Sequence, residues 1–259
     1  MFYKMPTTAA AIAALVYLLT APHLAQASHH THDAASTQAK PNDGEAAHGT
    51  RLYGQVLVEQ LEYRWQDGGN VIAWDAQAWY GGDYHKIRLK TEGAFKPSDQ
   101  VKDVEVQLLY SRLLGYFWDV QGGLRYDVRP EPSRGYGVVG LQGLAPGFFE
   151  IDLHGFVSEE GDVSARLKAE YDLLITQHLI LQPKAEINLA AQDVAELSIG
   201  QGLNDIELGL RLRYEFTREF APYIGVLWNR KLGETARFAR NEGEETDRFS
   251  LLAGVRFWF

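Results

Sequence analysis

A chain of 259 residues, with 25 Lys and Arg against 34 Asp and Glu and no cysteine, is long enough for one ordinary domain. The absent cysteines exclude a disulfide scaffold, a thiolate zinc site, an iron–sulfur cluster and a cysteine nucleophile. A formal net charge of -9 argues against a nucleic-acid partner, since phosphate binding needs a basic surface, while 25 glycines and 12% aromatics suit a sheet protein with tight turns.

Residues 1–27 read as a secretory signal. Lys4 precedes an apolar run from Ala9 to Leu19, and Ala25-Gln26-Ala27 fits the small-x-small cleavage pattern. The mature chain is then expected to begin at Ser28. Residues 28–51 are rich in Ala, Thr, Gln, Pro, Asn and His, with little that is apolar and larger than alanine, which is the composition of a disordered arm. From residue 52 to 259 the chain changes to period-two segments broken by Gly, Pro, Asp and Asn.

Those segments run over about 52–66, 70–80, 83–93, 103–114, 115–128, 135–146, 147–157, 163–175, 178–190, 203–216, 220–231 and 247–258. Within one of them Ile206, Leu208, Leu210, Leu212 and Tyr214 share a face opposite Asp205, Glu207, Arg211, Arg213 and Glu215. A soluble sandwich also alternates. Three observations favour a transmembrane antiparallel β-barrel, all-β, of about twelve strands. The segments are long enough to cross a bilayer at a tilt, where roughly 9 to 11 residues suffice. Tyr63, Trp65, Tyr80, Tyr110, Tyr126, Tyr214 and Trp228 lie towards segment ends, where an interfacial girdle places its rings. Leu251, Ala253, Val255, Phe257 and Phe259 share the face of the last strand, and a terminal Phe resembles the assembly signal of outer-membrane barrels. With the first strand rising from the periplasm, longer connections fall outside and short turns inside, and residues 232–246 form the last outside loop.

No phosphate-binding glycine motif, H-E-x-x-H or G-x-S-x-G occurs, so no enzymatic activity is expected. With both methionines, Met1 and Met5, in the signal, histidine is the softest ligand left. His29, His30, His32 and His48 lie in the arm, and cleavage after Ala27 sets His30 third behind the free amine of Ser28. Such an end can wrap Cu(II) in a square plane of four nitrogens, from the Ser28 amine, two deprotonated amides and the His30 imidazole. Within the barrel, the parity of Glu150, Asp152 and His154 puts one imidazole and two carboxylates on one lumen face, as a metal site or as a salt-bridged structural histidine. His85 and His178 fall near short turns and suggest a further weak site at that mouth. The many lumen charges of both signs either cross-pair and plug the barrel or line a selective channel.

Residues 53–259 resemble the copper resistance protein B family. The resemblance is carried by Leu61-Glu62-Tyr63-Arg64, Trp74-Asp75-Ala76-Gln77-Ala78-Trp79-Tyr80-Gly81-Gly82-Asp83-Tyr84, Lys90-Thr91-Glu92-Gly93, Leu108-Leu109-Tyr110-Ser111-Arg112, Phe117-Trp118-Asp119-Val120-Gln121, Leu124-Arg125-Tyr126-Asp127 and the ending Gly254-Val255-Arg256-Phe257-Trp258-Phe259. It implies a copper-linked role at the Gram-negative outer membrane and an arm rich in Met and His. This arm has His without Met, which favours Cu(II) over Cu(I). The expected function is copper resistance by sequestering copper or passing it across the outer membrane, with membrane lipid, the copper ion and a periplasmic copper protein as partners. The alternatives are an outer-membrane hydrolase or a structural barrel without metal function. For the hydrolase, Ser158 shares a face with His154 but stands over ~13 Å from it along an extended strand.

Overall fold

The computed structural model describes residues 52–97, 101–130 and 132–259. The signal segment and the arm, with Ser28, His29, His30, His32 and His48, lie outside the described residues. The described chain forms twelve antiparallel strands: β1 (Tyr53–Gln66), β2 (Val71–Gly81), β3 (His85–Phe95), β4 (Val101–Gly115), β5 (Trp118–Arg129), β6 (Arg134–Ala145), β7 (Phe149–Ser158), β8 (Val163–Glu170, resuming at Leu173–Leu174), β9 (Leu179–Ala190), β10 (Gly202–Tyr214), β11 (Phe220–Lys231) and β12 (Asp247–Trp258). Each strand pairs with its sequence neighbours, and β12 pairs with β1 through Tyr63↔Ala253 and Leu61↔Val255, which closes the barrel and leaves no edge. Past the end of β12, Phe259 N–H donates to Val56 O at 3.0 Å and Val56 N–H donates to Phe259 O at 2.9 Å. No helix among the described residues is long and apolar enough to cross a membrane.

The alternation sorts the two faces as the sequence implies. Leu108, Leu124, Leu208, Leu210, Ile224 and Leu251 are exposed on the outer wall, while Gln107, Gln121, Lys184, Arg211 and Ser250 are buried inside. At the end where Tyr53 and Phe259 lie, here the terminal end, the connections are short. At the opposite, loop end, Trp65, Tyr126 and Phe249 are exposed, whereas Tyr53, Tyr80, Tyr84, Tyr110, Tyr116, Phe117 and Phe148 crowd the terminal rim. Phe259 is itself exposed on the lipid-facing wall while its backbone completes the closing seam. Phe259→Ser keeps those backbone bonds and removes the ring. It is expected to lower the amount of membrane-inserted protein, read by quantifying the heat-modifiable form; unchanged insertion would remove the assembly role of this ring.

Three departures from simple alternation have physical causes. The register of β1 shifts against β2 between Val58 and Gln60 and against β12 between Val58 and Leu61. This bulge turns Glu59 inward, although counting by twos from Glu62 and Arg64 puts it on the lipid wall. In β8 the ladder breaks after Glu170 opposite Pro183 of β9: Tyr171 N–H donates to Pro183 O at 3.1 Å, but proline has no N–H to return the bond. The third is in the connection 232–246, expected as plain loop, which contains helix α1 (Gly233–Asn241) with Thr235, Ala236 and Ala239 buried on one face. Gly200 N–H donates to Thr235 Oγ1 at 2.9 Å and Ser198 Oγ donates to Glu242 Oε1 at 2.5 Å, so α1 is tied to the preceding outer connection. Its charged residues masked the helical period in the sequence.

Candidate functional site

The lumen is the polar interior of this barrel, and strand pairing alone does not fill it. Side chains from β8 and β9 cross to the strands on the other side. Arg166 of β8 reaches Glu105 of β4 at 3.1 Å and Glu92 of β3 at 3.5 Å, and on its own side Glu186 of β9 at 3.5 Å. Lys168, one step nearer the terminal end, is paired with Glu92 and reaches Asp75 of β2 at 3.5 Å and Glu186 at 3.9 Å. Lys184 of β9 bonds Glu170 at 2.8 Å and lies 3.8 Å from Asp75. Lys90 of β3 meets Asp152 of β7 at 2.6 Å. In low-dielectric surroundings such ions persist only when paired and hydrogen-bonded. Their partners here come from opposite walls, so pairing also fills the lumen.

Apolar groups thicken this layer. Phe156, 2% exposed although it points into the barrel, packs with Leu109, Val138 and Tyr136. The guanidinium carbons of Arg125 and Arg166 lie 4.5 Å and 5.7 Å from its ring centroid. Near the closing seam, buried Glu62 accepts from Arg64 Nε at 2.7 Å, Arg211 Nε at 3.1 Å and Tyr223 Oη at 3.0 Å. At the loop end, buried Arg134 holds Asp162 at 2.5 Å, Glu160 at 2.8 Å and Glu196 at 3.2 Å. On the terminal side lies a vestibule of about 380 Å³, walled by Glu59, Lys86, Arg88, Asp119, Glu150 and Glu170, with Asp75, Lys90, Glu92, Asp152 and Lys168 also in its lining.

The histidine of the expected lumen site is accounted for within this packing. His154, 4% exposed, sets its Nδ1 against Asp152 Oδ1 and its Nε2 2.9 Å from Gln121 Oε1. Its ring lies over Gly140, where an added Cβ would come within 2.3 Å of His154 Cδ2. Both ring nitrogens are engaged, and Asp152 is shared with Lys90. Glu150 stands one step nearer the terminal end, opposite Glu170 in the β7–β8 register. Among the described residues, no three His, Asp or Glu side chains gather into a metal-holding group. The shared face of Glu150, Asp152 and His154 is present, but they do not converge. His85 and His178 are at the terminal end as expected yet open β3 and precede β9, on opposite sides of the ring of strands. His85 Nδ1 lies 2.5 Å from Tyr110 Oη, and His178 Nδ1 lies 3.1 Å from Glu215 O. They cannot share an ion. Ser158 Oγ accepts from the amides of Glu160 and Asp162, away from His154.

Glu59 is the lumen residue that parity misses. Its carboxylate accepts from Gln77 Nε2 at 2.6 Å in the vestibule wall. The adjacent polar pair Glu59-Gln60 interrupts the alternation and is the sequence signal of the bulge.

A family model described as Copper resistance protein B precursor (CopB) matches residues 52–259, the whole barrel. The chain belongs to the copper resistance protein B family. Copper resistance protein B of Escherichia coli is 45% identical over 216 residues, covering 83% of this chain and 73% of that one. The copper resistance protein B homolog of Pseudomonas syringae pv. tomato is 37% identical over 218 residues, covering 84% and 74%. Among solved structures, the NanC porin superposes with a TM-score of 0.52 at 15% identity, over 78% of this chain and 98% of its own, a likeness of fold. Membership in the copper resistance protein B family and this porin-like barrel together make the chain an outer-membrane protein. The family match starts at Leu52 and does not extend into residues 28–51.

Proposed function

We propose that this outer-membrane barrel contributes to copper resistance by binding copper on its periplasmic side and sequestering it there, rather than letting it diffuse through an open pore. The observation that carries the reading is the bridged lumen: Arg166, Lys168 and Lys184 pair with carboxylates of the opposite wall beside the vestibule. The names of its two relatives supply the metal. Short turns at the terminal end and longer connections at the other support a periplasmic terminal end, the side of the vestibule mouth. The copper ligands proposed are in the arm, Ser28, His29, His30, His32 and His48, with Cu(II) held by Ser28 through His30. The ion must displace protons from the amine, two amides and an imidazole, so affinity falls as pH falls. Passage across the membrane is the second reading, favoured by the polar residues Glu150, Asp152 and His154 that lead inward from the vestibule in single steps along β7.

The test is a Cu(II) titration of the refolded mature chain beside the same protein lacking residues 28–51. The mature chain should bind Cu(II) with a visible d–d band of square-planar nitrogen ligation, and a peptide starting at Ser28 should lose that band when its amine is acetylated. Equal binding without the arm would move the metal into the barrel, with His154→Ala as the variant to compare. Binding by neither protein would leave a structural barrel.

A further inference from the structure

We propose that Arg112 anchors a lipid site on the outer wall, where its guanidinium and the neighbouring His85 take the phosphodiester of a glycerophospholipid. The alternation that buries Leu109 and Ser111 inside the barrel turns Tyr110 and Arg112 outward, and both are exposed. By the same alternation the other described basic side chains on the strands turn into the barrel, apart from Arg230 of β11 at the loop end. Arg230 has a carboxylate, Asp247, at 3.8 Å. Arg112 makes no ion pair or hydrogen bond among the described residues, and Asp83 in the adjoining turn is not bonded to it. Tyr80, Tyr84 and Tyr116 stand exposed at the same rim, rings of the kind that settle at the headgroup level of a bilayer. A charge on a lipid-facing wall is costly unless it is paired, so the counter-charge for Arg112 comes from the bilayer itself.

The geometry around Arg112 suits a phosphate. His85 opens β3 directly opposite Arg112 in the β3–β4 register and is exposed on the same wall. Its Nδ1 lies 2.5 Å from Tyr110 Oη, and the two rings stack at 5.9 Å between centroids. With the phenol donating to Nδ1, a neutral imidazole carries its proton on Nε2, and that N–H is left to donate. A guanidinium fork and one imidazole N–H are donors for the two free oxygens of a phosphodiester. Deeper along the same two strands Ile87, Leu89 and Leu108 are exposed, an apolar wall for the acyl chains below the headgroup. The choice of a glycerophospholipid over lipopolysaccharide rests on the periplasmic terminal end of the reading above; the copper ligands of that reading are not involved.

The test is native mass spectrometry of the full mature chain released from detergent after incubation with one lipid at a time: dioleoyl phosphatidylglycerol, dioleoylglycerol, which has the same chains without the phosphate, or lipid A. The wild-type barrel should retain phosphatidylglycerol and not dioleoylglycerol, and added inorganic phosphate should not displace it. Arg112→Gln should weaken retention by about tenfold, the weight of a charge-assisted hydrogen bond, and His85→Phe, which keeps a ring without the N–H, by less. Arg112→Lys should restore part of the loss, since it returns the charge without the fork. Arg230→Gln, an equal change of net charge at the other end, should leave retention as in the wild type. Heat-modifiable migration establishes that each variant is folded. A folded Arg112→Gln barrel that holds phosphatidylglycerol like the wild type would overturn the proposal, as would an equal loss in Arg230→Gln, equal retention of dioleoylglycerol or displacement by inorganic phosphate. Preferential retention of lipid A, lost in Arg112→Gln, would overturn the choice of lipid and the periplasmic orientation with it, while leaving the Cu(II) titration untouched.

Discussion

Glu62→Ala is expected to destabilise the barrel by about 3–5 kcal/mol, the cost of breaking a buried ion pair by removing one partner. Glu62 is 1% exposed, and its two oxygens take four donor contacts, from Arg64 Nε, Arg211 Nε, Arg211 NH2 and Tyr223 Oη. These partners join β1 to β10 and β11 across β12, so this carboxylate cross-links the walls on either side of the last strand. Removing it strands one buried guanidinium and a phenol; Gln60 Oε1, 3.2 Å from Arg211 NH2, is too little to replace it. The measurement is the urea midpoint of the heat-modifiable band in detergent micelles. Replacing Glu62 and Arg211 together by leucine and methionine should cost much less than Glu62→Ala alone, because no charge is left unpaired. A midpoint shift near zero for Glu62→Ala would show that water enters this end of the lumen and solvates Arg211.

Phe156→Ala should cost a similar amount, about 3–5 kcal/mol, for a different reason. The ring contacts apolar neighbours inside a polar lumen, with Tyr136 edge-on at 6.5 Å and His154 stacked at 6.1 Å between centroids. Truncation leaves a hole beneath Arg125 and Arg166 at a depth where their charges were partly balanced by the ring face. Phe156→Leu keeps an apolar group there and should lose less. The same urea series reads both. If Phe156→Ala and Phe156→Leu shift the midpoint equally and slightly, the cavity collapses or fills with water and the ring is dispensable.

The strands, their number and the face each residue takes were legible because one period governs 208 residues, from residue 52 to the end. A side chain that points into lipid must be apolar, and this makes alternation strict over most of the wall. Glu59 escaped because a bulge shifts parity by one, and only the polar doublet Glu59-Gln60 betrays it. The interruption of β8 is written in the neighbouring strand, at Pro183, rather than in β8 itself. Helix α1 lacks the apolar stripe that would announce it, since its buried face is Thr235, Ala236 and Ala239. The ion pairs of the lumen were not legible at all. Parity says that Lys168 and Glu92 both face inward, but which inward charges meet depends on the stagger of strands five apart in the ring, and no local pattern encodes that. Glu150, Asp152 and His154 share a face of one strand, and of the three only Asp152 and His154 meet.

Pro183 also marks the place where the wall loses a ladder bond. The β7–β8 seam ends at Glu150↔Glu170, while the β9–β10 seam continues to Leu179↔Tyr214. Beyond the gap the pairing resumes in the same register, Leu173↔Leu181 and Leu174↔Ile180, so Leu174 stays on the face of buried Ile180 while Leu173 lies on the outer wall. The ladder on the β8 side is therefore interrupted near the terminal end, and local opening of the wall is expected to start there.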